Sequence, residues 1–438
     1  MNTKAISFQV NPGGSMRGNI RVPGDKSISH RSIMLGAIAE GTTHVKGFLE
    51  AEDALATLKA FKAMGVNISE PADGQVTIEG VGLHGLKPAA ELLYLGNSGT
   101  SMRLLSGLLA GQTFGSVLTG DKSLNSRPMK RITLPLSEMG AQIESAEGGT
   151  APLKIEPVKS LKGINYNMPM ASAQVKSCLM LAGLYAEGET TIEEPAPTRD
   201  HTERMLEGFS YPVKRKGNQV TINSGGRLLA TSIDVPSDIS SAAFFLVGAT
   251  IAANSELNLQ HVGINPTRIG VIEILKLMGA DIRLFNEAVV GGEPVADIQV
   301  RSSRLKGIEI PEQLVPLAID EFPVLFVAAA CAEGTTVLTG AEELRVKESD
   351  RIQVMADGLK FLGINAQSTP DGMIIQGGQL QGGQIKSHGD HRIAMSFAIA
   401  GLRAKEKIII EDCENVNTSF PEFAVLSKQT GLQLDILG

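Results

Sequence analysis

Two spacings of apolar residues alternate along this chain. Stretches rich in Ala, Leu, Ile and Met with helical spacing are followed by short turns and then by stretches in which apolar and polar residues alternate as in strands. The turn Ala39-Glu40-Gly41-Thr42-Thr43 returns as Ala186-Glu187-Gly188-Glu189-Thr190-Thr191 and as Ala332-Glu333-Gly334-Thr335-Thr336, each time between a helical and an alternating stretch. A second helix ends in Met64-Gly65-Val66, Met139-Gly140-Ala141, Met278-Gly279-Ala280 and Leu362-Gly363-Ile364, where glycine suits the position just past a helix. These signals define six units opening near Asp25, Asn97, Ser172, Asp238, Asp320 and Asp390. Each unit reads as a polar Gly/Ser/Asp cluster, a helix, a turn, a β-rich stretch, a second helix and a closing strand. Units of roughly 70 residues are too long for ankyrin or tetratricopeptide repeats and lack a propeller-blade pattern. Ile20-Arg21-Val22-Pro23-Gly24-Asp25 recurs as Ile233-Asp234-Val235-Pro236-Ser237-Asp238, so the chain reads as two similar α/β halves of three units each.

Composition narrows the partners. A length of 438 residues suits two or three domains, and 42% hydrophobic with 20% charged residues suits a globular chain. The formal net charge is −7 and no basic block stands out, which argues against nucleic acid. Apolar runs such as Ala242 to Ala253 fall short of the ~18 residues a membrane helix needs. Met1 to Val10 has no secretory apolar core, and Cys178, Cys331 and Cys413 are too widely spaced for a disulfide or metal framework. The expectation is a cytoplasmic protein.

The openings carry the candidate chemistry, because a helix N-terminus has free N–H groups and favours an anion. Pro23 to Arg31 sets a Lys, two hydroxyls and an Arg at one helix start, with Ser27 and Arg31 on one face. It lacks the spacing of a P-loop. Leu95 to Arg103 presents small residues that allow a ligand close to the backbone. Ser126 to Arg131 is a basic turn in which Arg127 and Arg131 would be four apart on a helix, Met170 to Lys176 offers a hydroxyl and an amide, and Thr198 to Glu203 looks like a capping box carrying an Arg. Lys347 and Arg351, four apart, would repel on a helix unless an anion lies between them. Glu348 beside them could be tuned for proton transfer. Asp320 interrupts the apolar run Leu314 to Ala330, where a carboxylate needs a partner, a capping role or a function. His388, Asp390 and His391 could offer metal ligands, but no second cluster has metal-like spacing, and Arg392 fits better as an anion clamp. Cations and hydrogen-bonding groups at helix starts, with a few carboxylates and no evident nucleophile, suit a phosphorylated, carboxylated small molecule.

Taken in order, PGDKSISHR at 23–31, LGNSGTSMR at 95–103, SRPMK at 126–130, ASAQVKS at 171–177, TRDHTE at 198–203, IDEFP at 319–323, LRVKESDR at 344–351, DHRIAMSF at 390–397 and TSFPEF at 418–423 resemble the motifs of the 5-enolpyruvylshikimate-3-phosphate synthase family over nearly the whole chain. ASAQVKS and TRDHTE are similar to the branch that includes glyphosate-tolerant bacterial forms. The resemblance implies an enolpyruvyl transferase fold, an inside-out α/β barrel of two similar domains, each of three βαβαββ units. Residues 23–235 would form the first domain, residues 1–22 and 236–438 the second, with the active site in the cleft between them. It implies attack of the 5-hydroxyl of shikimate 3-phosphate on C2 of phosphoenolpyruvate, then loss of phosphate from a tetrahedral ketal. No metal or organic cofactor and no macromolecular partner is expected, and the protein would be a monomer.

By the same resemblance Lys26, Ser27, Arg31, Ser172, Ala173, Gln174, Arg199, Asp320 and Lys347 would hold shikimate 3-phosphate. Lys26, Asn97, Gly99, Thr100, Arg127, Gln174, Arg351 and Arg392 would meet phosphoenolpyruvate. Lys26 and Lys347 would share in catalysis, with Asp320 the candidate base for the 5-hydroxyl and Glu348 for the methylene proton; the division of proton transfers stays open. Thr418 stands where many relatives carry a Lys, and Gly99 where tolerant forms often have Ala. Two rivals remain: an enolpyruvyl transferase acting on UDP-N-acetylglucosamine, which usually has a reactive Cys or an Asp on a first-domain loop, and a non-catalytic binder of organic phosphates.

Overall fold

Six helices open the six units, at Lys26–Ala37, Gly99–Ala110, Ala173–Gly183, Ile239–Ile251, Phe322–Ala330 and His391–Ala400. The last three are buried over their whole lengths, and Lys26–Ala37 is buried from Ile28 onward. A helix apolar on every side has to lie in an interior, so in each half the opening helices pack on one another and the sheets lie around them. Such packing demands small residues at the closest approach. A Cβ on Gly107 would stand 2.0 Å from the carbonyl oxygen of Cys178.

The computed structural model describes residues 6–438 and divides into two units, each with its own hydrophobic core. One unit is Gly24–Val235 with Val289–Glu293; the other is the described chain up to Pro23 with Pro236–Ala288 and Pro294–Gly438. Residues 1–5 of the expected second domain lie outside the described residues.

The second unit of the repeat shows the βαβαββ plan without interruption. Its sheet runs Leu93–Tyr94, Ser116–Thr119, Thr150–Glu156, Gln142–Ala146, with the first pair parallel and the others antiparallel. The third unit repeats it with Asn165–Asn167, Glu189–Glu193, Gln219–Asn223 and Lys214–Lys216. The two I-x-V-P-x-D segments mark an exchange. Strand Ser232–Asp234, before Pro236, pairs parallel with Glu40–Lys46 of the first repeat, while Arg17–Ile20, before Pro23, pairs parallel with Glu256–Gly263 of the fourth. The sixth sheet takes Ser7–Val10 as an inner strand beside Ile408–Glu411. In the fifth, a parallel bridge between Glu309 and Val337 stands in for the first strand.

The helix signals carry through to backbone geometry. Gly65, Gly140, Gly279 and Gly363 all have positive φ just past a helix end, the conformation in which glycine avoids the Cβ penalty. Asp25, Ser98, Ser172, Asp238 and Asp390 cap five of the opening helices through side-chain oxygens. The fifth helix differs: its N-cap is Glu321, with no side-chain cap bond, so Asp320 does not cap the helix.

Candidate active site

In the first unit, hydrogen bonds bring the starts of three opening helices side by side. Gln174 Nε2 donates to Thr100 Oγ1 at 3.2 Å and its Oε1 accepts from Arg103, which ties the Ala173 helix to the Gly99 helix. Ser98 Oγ lies 3.4 Å from His30 Nε2, which ties the Gly99 helix to the Lys26 helix. Free N–H groups at three helix starts therefore share one region with cations, a setting for a polyanion.

Each cation there is held by neighbours. Lys26 Nζ is 3.2 Å from Asp53 Oδ2. Arg31, 4% exposed, donates from Nε to Thr202 Oγ1 at 2.7 Å, from Nη2 to Ser177 Oγ at 2.8 Å and from Nη1 to the carbonyl of Ser27 at 3.0 Å. Burial pulls the Arg31 guanidinium down to about 10, still charged at neutral pH, against the opposing pull of Glu203 and Asp25. Asn97 links Asp121, which accepts from its Nδ2 at 2.7 Å, to Arg127, which donates to its Oδ1. Ser123 Oγ accepts a second bond from Arg127 at 3.3 Å. A Cβ on Gly99 would lie 3.2 Å from Arg127 Nη1 and 3.3 Å from Arg103 Nη1. Ser27, Ser172, Ala173 and Arg199 are partly buried, Ser27 at the first turn of its helix, Ser172 as a cap and Arg199 just before the helix His201–Gly208.

In the second unit the candidates meet around one guanidinium. Arg351, 1% exposed, donates from Nε to Asp390 Oδ2 at 2.9 Å and from Nη2 to Glu348 Oε2 at 2.6 Å, and its Nη1 lies 3.3 Å from Asp320 Oδ1. Burial works against its charge, but Asp390, Glu348 and Asp320 outweigh that and hold its pKa above the ordinary value. Lys347 Nζ is 3.5 Å from the same Asp320 oxygen and 2.7 Å from Glu343 Oε1. Arg392 Nη1 donates to the backbone carbonyl of Asp320 at 3.0 Å. Thr418 Oγ1 donates to the carbonyl of Asn415 at 2.7 Å, and Asn415 in turn donates to the carbonyl of Gly389. Thr418 is thus a buried hydroxyl satisfied within its own turn.

Several expectations need correction. Lys347 and Arg351 do not share a helix: Asp350 caps the helix Arg351–Phe361, and Lys347 lies before it with an extended backbone. Their like charges are separated by Asp320 rather than awaiting an anion. Arg127 and Arg131 do not share a helix either, since Lys122–Asn125 ends before Arg127 and the next helix begins at Lys130. Thr198 to Glu203 is no capping box, because the N-cap is Asp200 without a side-chain cap bond, and Glu203 pairs with Lys176 at 2.7 Å. Among the described residues no group of His, Cys, Asp and Glu is arranged to hold a metal ion, and His388 and His391 stand apart from any such set. Sequence reasoning passed over Arg103, Asp121 and Asp53, and it weighed Asp390 only as a unit opening and a metal ligand, because its pairing with Arg351 has no local signature.

Cysteine chemistry is muted. Cys178 and Cys413 are buried and Cys331 half-buried, all as free thiols. Burial pushes Cys331 and Cys413 up to about 12, and Cys178 higher still.

The fold and these two sets of cations and carboxylates are those of a two-domain α/β transferase of anionic small molecules. Residues 10–425 match the family described as EPSP synthase (3-phosphoshikimate 1-carboxyvinyltransferase), and the chain belongs to that family. It is 66% identical over 436 residues to the 3-phosphoshikimate 1-carboxyvinyltransferase of Methylococcus capsulatus, covering all of both chains. It is 66% identical to that of Hydrogenovibrio crunogenus, covering 98% of each. The solved structure of EPSP synthase from Acinetobacter baumannii superposes with a TM-score of 0.90 at 61% identity, over 99% of this chain and 100% of that one. Among the described residues no helix is long and apolar enough to cross a membrane.

Proposed function

We propose that the chain transfers the enolpyruvyl group of phosphoenolpyruvate to the 5-hydroxyl of shikimate 3-phosphate and releases inorganic phosphate, a step of aromatic amino acid biosynthesis. The observation that carries this reading is the Asp320 carboxylate. It is spared from capping its helix and sits within 3.5 Å of Lys347 and 3.3 Å of Arg351, where a base and its cationic partners are needed together.

In the addition step the 5-hydroxyl oxygen bonds to C2 of phosphoenolpyruvate, its proton passes to Asp320 with Lys347 alongside, and Glu348 delivers a proton to C3. The product is a tetrahedral ketal bearing a methyl group. In the elimination step the C2–O bond to phosphate breaks as the proton held by Asp320 passes to the leaving phosphate, Glu348 takes a proton back from the methyl group, and the enol ether double bond forms. Two separated proton-transfer groups let both steps proceed without a covalent enzyme intermediate. Lys26, Ser27, Arg31, Ser172, Ala173, Gln174 and Arg199, with Asp320 and Lys347, bind shikimate 3-phosphate in this reading. Lys26, Asn97, Gly99, Thr100, Arg127, Gln174, Arg351 and Arg392 bind phosphoenolpyruvate.

The ASAQVKS and TRDHTE segments support placing the chain in the branch that includes glyphosate-tolerant forms, and we place it in the cytoplasm as a monomer. The test is phosphate release from phosphoenolpyruvate with either shikimate 3-phosphate or UDP-N-acetylglucosamine. Release only with shikimate 3-phosphate is expected. Release only with the nucleotide sugar overturns the substrate, and silence with both favours a non-catalytic binder.

A further inference from the structure

Lys176 is among the largest wholly buried side chains of the protein, at 1% exposed, and a lysine in that setting needs compensating charge. Its Nζ lies 2.9 Å from Glu194 Oε2 and 2.7 Å from Glu203 Oε1, and 3.5 Å from the carbonyl of Thr198. These contacts fall on both ends of one segment. Glu194 follows the strand Glu189–Glu193, and Glu203 lies in the first turn of the helix His201–Gly208. Between them runs Pro195-Ala196-Pro197-Thr198-Arg199-Asp200, with Thr198 donating back to Glu194. A single ammonium therefore fastens the segment at its start, at the residue before Arg199, and at the helix that follows.

The neighbours of this cluster make a second clamp. Ser177, next to Lys176, accepts from Arg31 at 2.8 Å and from Thr202 at 2.7 Å, and Thr202, next to Glu203, accepts from Arg31 Nε at 2.7 Å. Adjacent residues of two elements thus form a charged lock, Lys176 with Glu203, and a hydroxyl cradle, Ser177 with Thr202. Arg31 lies in the cradle. If the lock opens, the first turn of the His201 helix is free to shift, and with it the cradle of Arg31 and the segment that presents Arg199.

We infer that Lys176 is a positioning residue for shikimate 3-phosphate: through Glu194 and Glu203 it fixes Arg31 and Arg199 in the geometry that binds this substrate. The inference rests on the reading that Arg31 and Arg199 hold shikimate 3-phosphate. Of the phosphoenolpyruvate groups, Asn97 and Arg127 lie on other segments with anchors of their own in Asp121 and Ser123, and only Thr100 reaches the helix of Lys176, through Gln174. The loss is therefore larger for shikimate 3-phosphate than for phosphoenolpyruvate.

The experiment uses Lys176→Met and the milder Glu194→Gln, which keeps the Lys176–Glu203 pair and so tests the tether even if the first variant does not fold. The dissociation constant for shikimate 3-phosphate is measured by calorimetry and the Michaelis constant for phosphoenolpyruvate by phosphate release. Glu194→Gln is expected to weaken shikimate 3-phosphate binding about five-fold, and Lys176→Met at least about ten-fold, with the phosphoenolpyruvate constant within about two-fold. Lys176→Arg, which keeps the cation, is expected to recover part of the loss. Unchanged shikimate 3-phosphate binding in Glu194→Gln, or equal losses for both substrates, overturns the positioning role while leaving the reaction intact. An unsubstituted protein that does not bind shikimate 3-phosphate overturns the functional reading itself.

Discussion

Asp390 accepts from Arg351 Nε at 2.9 Å with both side chains almost wholly out of solvent, at 0% and 1% exposed. The same carboxylate caps the helix His391–Ala400 through the N–H of Arg392 and accepts from Ser349 Oγ at 3.0 Å. One side chain thus sets the orientation of Arg351, the start of the helix that carries Arg392, and the residue that follows Glu348.

Asp390→Asn keeps a capping oxygen and removes the charge, so its effect reports the pair. Losing one member of a buried ion pair costs about 3–5 kcal/mol, and a loss near the lower bound is expected because asparagine still accepts one bond. Burial raises the Asp390 pKa, but Arg351 outweighs it and the net direction is downward. A depressed carboxyl contributes its full stability above the unfolded value of about 3.9 and loses it as pH falls through the folded value. Urea unfolding of Asp390→Asn should show a constant deficit from pH 5 to 7 that narrows below about pH 4. A deficit that stays the same at pH 3 would rule out the pair as its source.

The cysteines should be silent toward alkylation. A thiol raised to about 12 is about one ten-thousandth thiolate at pH 8. Iodoacetamide at that pH is expected to leave native protein unlabelled and fully active over an hour, with three thiols labelled once urea is added. Rapid inactivation would point instead to a reactive cysteine and revive the nucleotide-sugar transferase reading.

The separation of proton roles can be read from hydrogen exchange. Asp320→Asn should lower kcat about 10²–10⁴-fold, the range for loss of a positioned base. It leaves Glu348 in place, so ketal-linked exchange of the C3 hydrogens of phosphoenolpyruvate into D2O should fall no further than turnover does. Glu348→Gln should depress that exchange more than it depresses phosphate release. The opposite ordering would interchange the two assignments.

What the sequence disclosed follows from the range of each interaction. Helix starts and stops were legible because a cap and its N–H are two or three residues apart, as with Asp25 and Ile28, and because glycine alone suits the positive φ at Gly65 or Gly363. The repeated openings were legible for the same reason. Pairings such as Arg351 with Asp390, 39 residues apart, or Arg31 with Thr202, 171 apart, have no local signature. The crossings at Pro23 and Pro236 were expected from the family resemblance, but the strand partners there have no local signature, since Arg17–Ile20 meets a partner more than two hundred residues on. The Lys347–Arg351 helix was a local misreading: Ser349-Asp350 before Arg351 is itself a helix-start signal, and the cap from Asp350 to Gln353 N at 3.0 Å ends the question.

Gly99 tests how tightly the groups proposed for phosphoenolpyruvate are packed. It is the first residue of its helix with an ordinary negative φ, so alanine there brings no backbone strain. The new methyl would stand 3.2 Å from Arg127 Nη1 and 3.3 Å from Arg103 Nη1, closer than a comfortable contact, so both guanidiniums must give by a few tenths of an ångström. Arg127 is joined to Asn97 and Ser123, and Arg103 to Gln174, so the shift is passed to the whole set. Misplacement on this scale should raise the Michaelis constant for phosphoenolpyruvate about ten-fold and the shikimate 3-phosphate constant by less, since only Gln174 carries the shift to that substrate. Glyphosate, a phosphonate with a carboxylate, would draw on the same cations and fill the space that the methyl takes. Inhibition by glyphosate is therefore expected in the micromolar range for the unsubstituted protein and in the millimolar range for Gly99→Ala, measured against phosphoenolpyruvate at fixed shikimate 3-phosphate. Millimolar tolerance in the unsubstituted protein would show that something other than the open space at Gly99 already excludes the inhibitor.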